Sequence, residues 1–245
     1  MAKKVPFYDL HCHVLPGMDD GAKDVEMSLA MLRETKEQGC VGLIATSHYY
    51  GSESIASFLE RRSEAYGRLM DALEREDPEW IGRIALGAEA AYHQGLAHDP
   101  DLEALCIGKS RYMLLEMPFS TWTSTVIRDV GNLVRSRQIR PIIAHLERYA
   151  NYAGEGGIDA LLDEDVMIQM NAGGLCRFGR RRPALQMVRS GIVDVLGSDM
   201  HNTTSRPPTL GEGIRQLYKN RCGEDTDRIL RNNERIFMAA TQGED

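Results

Sequence analysis

No apolar run in this 245-residue chain approaches the roughly 20 residues that a helix needs to cross a bilayer, which excludes a helical membrane protein. The first residues, Met1 to Pro6, hold two lysines with no apolar stretch behind them. We therefore expect neither a secretory signal nor a transit peptide, and a cytoplasmic location. Cysteine is scarce: five residues, Cys12, Cys40, Cys106, Cys176 and Cys222, odd in number and widely spaced. That pattern excludes a disulfide framework and fits a reducing compartment. Positive charge is short as well, with 29 Lys and Arg against 36 Asp and Glu and a net charge of −7. A phosphate backbone would be repelled at long range, so nucleic acid is not an expected partner, although a local basic pocket could hold a small phosphate. One short arginine run near residue 180 is the only basic cluster that stands out. With no low-complexity segment, repeat or linker, a single domain over residues 1–245 is expected.

What the chain does have is alternation. Seven β-branched or apolar runs, FYDL, GLIATS, RIALGAE, RYMLLEM, RPIIAH, VMIQMN and VDVLGSD, read as strands. Amphipathic stretches at Val25 to Gln38, Ile55 to Glu74, Ser124 to Arg137, Pro183 to Arg189 and Thr226 to Ala240 read as helices. The first starts after a cap at Asp24 and stops at Gly39. Strands buried between helices imply a parallel sheet, and seven of them in one domain suggest an α/β barrel.

Each of these strands ends in, or is followed within two residues by, a polar or metal-binding residue: His11, His48, Glu89, Glu116, His145, Asn171 and Asp199. In a parallel barrel the C-terminal strand ends open on one rim, so residues far apart in sequence meet in one pocket. In His11-Cys12-His13, side chains two apart share a face, and both imidazoles can reach one ion while Cys12 turns away. The acidic pair Asp19-Asp20 follows across a Pro16-Gly17 turn, and Asp199-Met200-His201 repeats the spacing after the last strand. A lone histidine is more often a surface or core residue, but five of the seven here occupy strand-end positions. The other two, His93 and His98, are expected in a solvent-exposed loop. Glu89 and Glu116 directly follow apolar runs, where a carboxylate is costly unless it is paired or holds a cation. The donors His11, His13, Asp20, His48, Glu89, Glu116, His145, Asp199 and His201, without paired thiols, favour manganese, iron or zinc.

Arg148, three residues after His145, and Arg206, five after His201, are placed to reach past the metals toward an anion. Guanidinium forks match phosphate oxygens, so the combination points to a phosphate ester. The plainer reading is that each arginine caps a loop. A competing chemistry is the Cys-x5-Arg signature of cysteine phosphatases, which Cys176 with Arg182 and Cys222 with Arg228 both fit. Chance supplies such spacings readily in an arginine-rich chain. The loop after Cys222 is acidic, and the one after Cys176 carries bulky Arg177 and Phe178, a poor phosphate cradle.

The segments HCHVLPGMDDGAKD, ATSHYYG, LGAEAAY, LLEMPF, IAHLERY, QMNAGGL and GSDMHN with SRPP, in this order, resemble the bacterial manganese-dependent protein-tyrosine phosphatases of capsular and exopolysaccharide synthesis. These belong to the PHP (polymerase and histidinol phosphatase) superfamily, and the likeness runs from about residue 7 to 210. The resemblance implies a distorted (β/α)7 barrel, the PHP fold, with three divalent ions at the C-terminal ends of the strands. By motif, His11, His13, Glu89 and Asp199 would hold the first ion. Glu89, Glu116 and His145 would hold the second, and Asp20, His48 and His201 the third. Arg148 and Arg206 would grip the phosphoryl group. The implied substrate is the tyrosine-rich tail of a partner bacterial tyrosine kinase, hydrolysed by metal-activated water. The segments Tyr92 to Asp99 and Phe119 to Thr125 are expected to shape the substrate cleft. The nearest alternative is a PHP-type phosphatase of a small phosphomonoester such as histidinol phosphate. A non-catalytic phosphoprotein-binding module would be expected to have lost several of the nine donors.

Overall fold

The computed structural model describes residues 5–243, and every structural statement below refers to these. Nine short strands, all paired in parallel, form a curled sheet surrounded by eight α-helices. Strand β1 (Phe7–Cys12) is followed by helix α1 (Val25–Gln38), β2 (Cys40–Ala45), β3 (His48–Tyr49) and α2 (Ile55–Glu76). Next come β4 (Ile84–Leu86), β5 (Glu89–Ala91), β6 (Tyr112–Glu116), α3 (Ser124–Arg137) and β7 (Arg140–Ile143). The chain continues through α4 (Gly157–Leu162), β8 (Met167–Asn171), α5 (Gly173–Cys176), α6 (Phe178–Arg189), β9 (Val195–Gly197), α7 (Leu210–Lys219) and α8 (Gly223–Gln242).

The seven expected strands become nine because two passes break near their C-terminal ends. GLIATS leaves the strand after Ala45, the end of β2, and a new strand β3 starts just beyond it at His48, while RIALGAE divides into β4 and the start of β5 at Gly87 and Ala88. The order is β1-β2-β4 in one sheet and β3-β5-β6-β7-β8-β9 in the other. Backbone hydrogen bonds bridge both breaks, from the Gly87 N–H to the Ala45 carbonyl and from the Glu89 N–H to the Ser47 carbonyl. At the far side a bridge between Cys12 and Met200 joins β1 to the segment after β9. The breaks matter to the site, because they turn His48 and Glu89 into the first residues of new strands.

Helices α1 and α3 have the expected bounds, because both are capped. The Asp24 carboxylate accepts from the Met27 N–H, and Gly39 ends α1 with φ of 114°, a conformation that glycine adopts without steric cost. Thr123 caps α3 in the same way. Helix α6 starts five residues before the expected Pro183, which lies inside it. Proline suits a first turn, but here the basic segment ahead of it is helical too. Helix α7 was not expected. Leu210, Ile214 and Leu217 are buried along one stripe, but Gly211 and Gly213 lower its helical propensity. A Cβ on Gly211 would run into Gln38 and Phe7, so glycine there permits close packing against the end of α1.

Adjacent residues along a strand face opposite sides of the sheet. On β1, Leu10 packs with Ile44, Val195 and with Ile236 and Phe237 of α8, which leaves Asp9 and His11 to the other face. No helix is long and apolar enough to cross a membrane.

Candidate metal centre

The strand ends deliver their polar side chains to one place. His11 and His13 are fully buried, and their Nε2 atoms are 3.2 Å apart. Glu89 Oε2 lies 3.2 Å from each of these nitrogens, and Asp199 Oδ1 lies 3.5 Å from each. Donors bound about 2.0–2.2 Å from a common ion stand about 3.0–3.5 Å apart in octahedral or tetrahedral arrangements. The four atoms therefore have the spacing of a coordination shell. A second group contains His13, Asp20, His48 and His201, and a third His48, Glu89 and Glu116, the donor atoms of each lying within 4.8 Å of one another. Asp20 Oδ1 is 3.4 Å from His48 Nε2 and 3.2 Å from His201 Nε2. His145 Nε2 is 2.8 Å from Glu89 Oε1 and 3.5 Å from Glu116 Oε1. His48 faces two groups at once, because its Nδ1 is also 3.0 Å from Glu89 Oε2.

Glu89 Oε2, His48 Nδ1 and His201 Nε2 are buried with no hydrogen-bond partner, although Glu89 Oε2 lies 3.0 Å from His48 Nδ1 and Asp20 Oδ1 lies 3.2 Å from His201 Nε2. Leaving such atoms unsatisfied is costly, and a shared cation between them removes the cost. The residues present therefore fit divalent metal.

Their orientation is set from behind. Asp19 Oδ2 takes a hydrogen bond from His13 Nδ1 at 2.8 Å and another from the His48 N–H, which turns His13 Nε2 inward. Gly21 makes this loop possible, since a Cβ there would collide with His13. Gln169 Oε1 accepts from the His145 N–H at 2.7 Å and lies 3.2 Å from His11 Nδ1. Asn171 donates to Asp199 Oδ2 at 2.7 Å and leaves Oδ1 facing the histidines. Such outer partners fix ligand tautomer and direction. Two candidate ligands also hold left-handed backbone, His145 with φ of 34° and Asp199 with φ of 53°. Strained conformations of this kind persist where the surroundings over-determine them, commonly at functional sites.

The electrostatics follow the crowding of carboxylates. Burial pulls His145 down, but Glu116 and Glu89 outweigh it and hold the imidazole up at about 9. His13 is likewise raised well above its ordinary value, with burial overcome by Asp19, Asp199 and Glu89. His201 goes the other way, to about 4, through burial and the neighbouring His13. Burial raises the Asp9 carboxyl to about 6, against hydrogen bonds from the Ser198 and His11 backbones.

Of the two arginines, Arg206 is half-buried, donating to Asp199 Oδ1 at 2.8 Å and to Asp20 Oδ2 at 3.4 Å. Arg148 is exposed, with its guanidinium 4.8 Å from the centre of the Phe119 ring. Both line a cavity of about 1270 Å³ that reaches Asp199. Of the two loops expected to shape the cleft, Phe119 lines this cavity and Tyr92 to Asp99 does not. His98 is exposed as expected, but His93 is half-buried, its ring against Gly51 and its Nδ1 3.2 Å from the Ala91 carbonyl. Sequence reasoning noted Asp19 only as half of an acidic pair, without the role of holding His13, and passed over Gln169. A signal for Gln169 existed: it is a polar residue two before Asn171 on an otherwise apolar strand.

A family model for capsular polysaccharide synthesis, CpsB/CapC, matches residues 7–239. The chain belongs to the CpsB/CapC family. Among similar proteins, the tyrosine-protein phosphatase CpsB of Streptococcus pneumoniae is 28% identical over 94% of this chain and 97% of its own length. The tyrosine-protein phosphatase YwqE of Bacillus subtilis is 29% identical over 94% and 91%. A crystal structure from work on YwqE and CpsB, described as metal-dependent tyrosine phosphatases, superposes with a TM-score of 0.75 at 26% identity, covering 92% of this chain and 95% of that one. The Mycobacterium tuberculosis phosphotriesterase, at 13% identity and a TM-score of 0.53 over 96% of this chain and 94% of its own, shares the fold alone. The CpsB/CapC match spans the described sheet and every residue of the donor cluster.

Proposed function

We propose that the chain is a metal-dependent protein-tyrosine phosphatase whose substrate is the phosphorylated tail of a bacterial tyrosine kinase that controls polysaccharide synthesis in the cytoplasm. The observation that carries this reading is the convergence of nine residues with nitrogen and oxygen donors beside two arginines. Within it, residues 1–245 form one catalytic domain, of which 1–4 and 244–245 lie outside the described residues. Its seven sheet passes make a distorted (β/α)7 barrel of the PHP type. His11, His13, Glu89 and Asp199 would hold one ion; Glu89, Glu116 and His145 a second; Asp20, His48 and His201 a third. Manganese is the first candidate, and iron and zinc follow from the same donor chemistry.

Divalent ions at such a site lower the pKa of water from 15.7 toward about 7 and polarise phosphoryl oxygens. The side chains do the rest. Asp19, Gln169 and Asn171 hold the donors in position, so no reorganisation is required when charge develops. Arg148 and Arg206 neutralise charge on the equatorial phosphoryl oxygens, with Arg206 tied to Asp199 and Asp20. The leaving phenolate has a free pKa near 10, so it needs less proton donation than an alkoxide would.

Two exposed aromatic side chains favour an aryl over an alkyl ester. Tyr50 stacks on His48 at 4.9 Å, and Phe119 lies parallel to His145 at 6.2 Å. Both remain open to solvent, at 57% and 41%. The test is turnover of a phosphotyrosine peptide against histidinol phosphate and a phosphoserine peptide. The tyrosine ester is expected to have a kcat/KM at least about 10² higher. A preference for histidinol phosphate would replace this substrate with the small phosphomonoester.

The cysteine chemistry makes an opposite prediction. Burial, with Glu212 nearby, pushes the Cys176 thiol up to about 12, so it is protonated at neutral pH. Cys222 is buried at the start of α8, and Arg228 is turned to the Val193 carbonyl. Cys176→Ser and Cys222→Ser are expected to keep most of the activity. A loss on the order of 10³ in either folded variant would restore a thiol nucleophile.

A further inference from the structure

The cavity beside the metal centre is larger than one phosphotyrosine requires. Small-molecule pockets run from about 300 to 1,000 Å³, and this one, at about 1270 Å³, extends from Asp199 and Arg206 to the first turn of α6. That turn belongs to the segment Arg177-Phe178-Gly179-Arg180-Arg181-Arg182. Arg181 is structural, donating from Nε to the Leu175 carbonyl at 2.7 Å. Arg177 and Arg180 are exposed, line the cavity, and have no acidic partner among the described residues. The cavity's two carboxylates are outnumbered by its four arginines, Arg148, Arg177, Arg180 and Arg206. Glu147 is half-buried, with Oε1 accepting the Asn171 N–H and Oε2 unpartnered, and Asp199 is held by Asn171 and Arg206. In a chain of net charge −7, this leaves a local cationic wall continuous with the candidate metal centre.

We infer that Arg177 and Arg180 form a second anion subsite, which binds a carboxylate or phosphate on a residue flanking the phosphotyrosine being hydrolysed. The inference rests on the phosphatase reading above and adds the substrate's charge pattern to it. Guanidinium groups bind either oxyanion in a fork, and unpaired arginines have no intramolecular contact to give up. The subsite selects peptides with clustered negative charge and does not touch the reacting phosphorus.

The test compares kcat/KM for three peptides that share one phosphotyrosine: one with neutral flanks, one with flanking glutamates, and one with a second phosphotyrosine. Wild-type enzyme is expected to favour both anionic peptides over the neutral one by about tenfold, with the advantage shrinking at high salt. In the double variant Arg177→Ala/Arg180→Ala the ratio should fall toward one, and the Lys/Lys pair should restore part of it. A ratio does not depend on the fraction of protein folded, so a poorly folding variant still reports. A gain for the doubly phosphorylated peptide alone would support a phosphate-selective subsite, and a gain for both would support any oxyanion. Equal rates on all three peptides, or an unchanged ratio in the alanine variant, would overturn the subsite and leave the phosphatase intact. Equal rates with sedimentation on phosphatidylserine vesicles would assign these arginines to a lipid surface instead. Hydrolysis of none of the peptides would overturn both readings.

Discussion

Prolonged dialysis against a chelator is expected to abolish hydrolysis of a phosphotyrosine peptide, with a loss on the order of 10⁴ or more, and added manganese to restore it. The Cys176 thiol opens on the cavity but is held protonated by burial, so it does not offer an alternative nucleophile. The carboxylates Asp19, Asp20, Glu89, Glu116 and Asp199 also crowd into the space between five histidines. Without a cation, this charge is met by protons on His13 and His145. Metal and proton then compete for the same nitrogens, so metal binding should release protons and tighten as pH rises. Titration calorimetry in buffers of different ionisation enthalpy measures that release, and elemental analysis of the dialysed sample fixes its metal content. Activity that persists in metal-free protein would refute the proposal.

Arg148→Ala and Arg206→Ala are each expected to lower kcat/KM by a factor on the order of 10², and metal analysis should separate them. Arg148 packs on Phe119 and has no ion pair with any candidate ligand among the described residues, so its loss should leave metal content at the wild-type level. Arg206 donates to both Asp199 and Asp20. Its removal takes charge balance from two candidate ligands and should weaken retention of the ions they share. A wild-type kcat/KM in Arg148→Ala would remove that residue from phosphoryl binding. Metal loss in Arg148→Ala would make it a support of the site.

Much of this architecture could be read beforehand because short-range chemistry announces it. Asp24 and Gly39 mark the ends of α1, and the strand ends carry donors at one- and two-residue spacings. What escaped depends on contacts distant in sequence. Asp19 and Asp20 are neighbours with equal charge, yet Asp19 turns to His13 and Asp20 to His48 and His201, a division set by the fold of one loop. Gln169 acquires its role from His11, 158 positions away. The left-handed backbone at His145 and Asp199 could not be assigned from residue type: histidine and aspartate tolerate it better than most side chains, yet only a small share of them adopt it. Helix α7 was hidden because its glycines answer to packing, Gly211 against the end of α1 and Gly213 against Ala172 and Leu175, and not to helical propensity.

The junction between β1 and the segment after β9 bears on how the protein is made. Cys12 bridges Met200, the Asp199 N–H donates to the His11 carbonyl, and the Ser198 N–H donates to Asp9. These contacts join the earliest-synthesised part of the sheet to the last, and contacts so distant in sequence form late because loop closure must come first. A nascent chain would expose seven of the nine donors on the ribosome before Asp199 and His201 emerged. Until then His11 and His13 lack their opposite wall, and ions captured by the early donors would be loosely held and exchangeable. Competence would therefore arrive as a single late event, so that a truncated or stalled product could not act as a weak phosphatase.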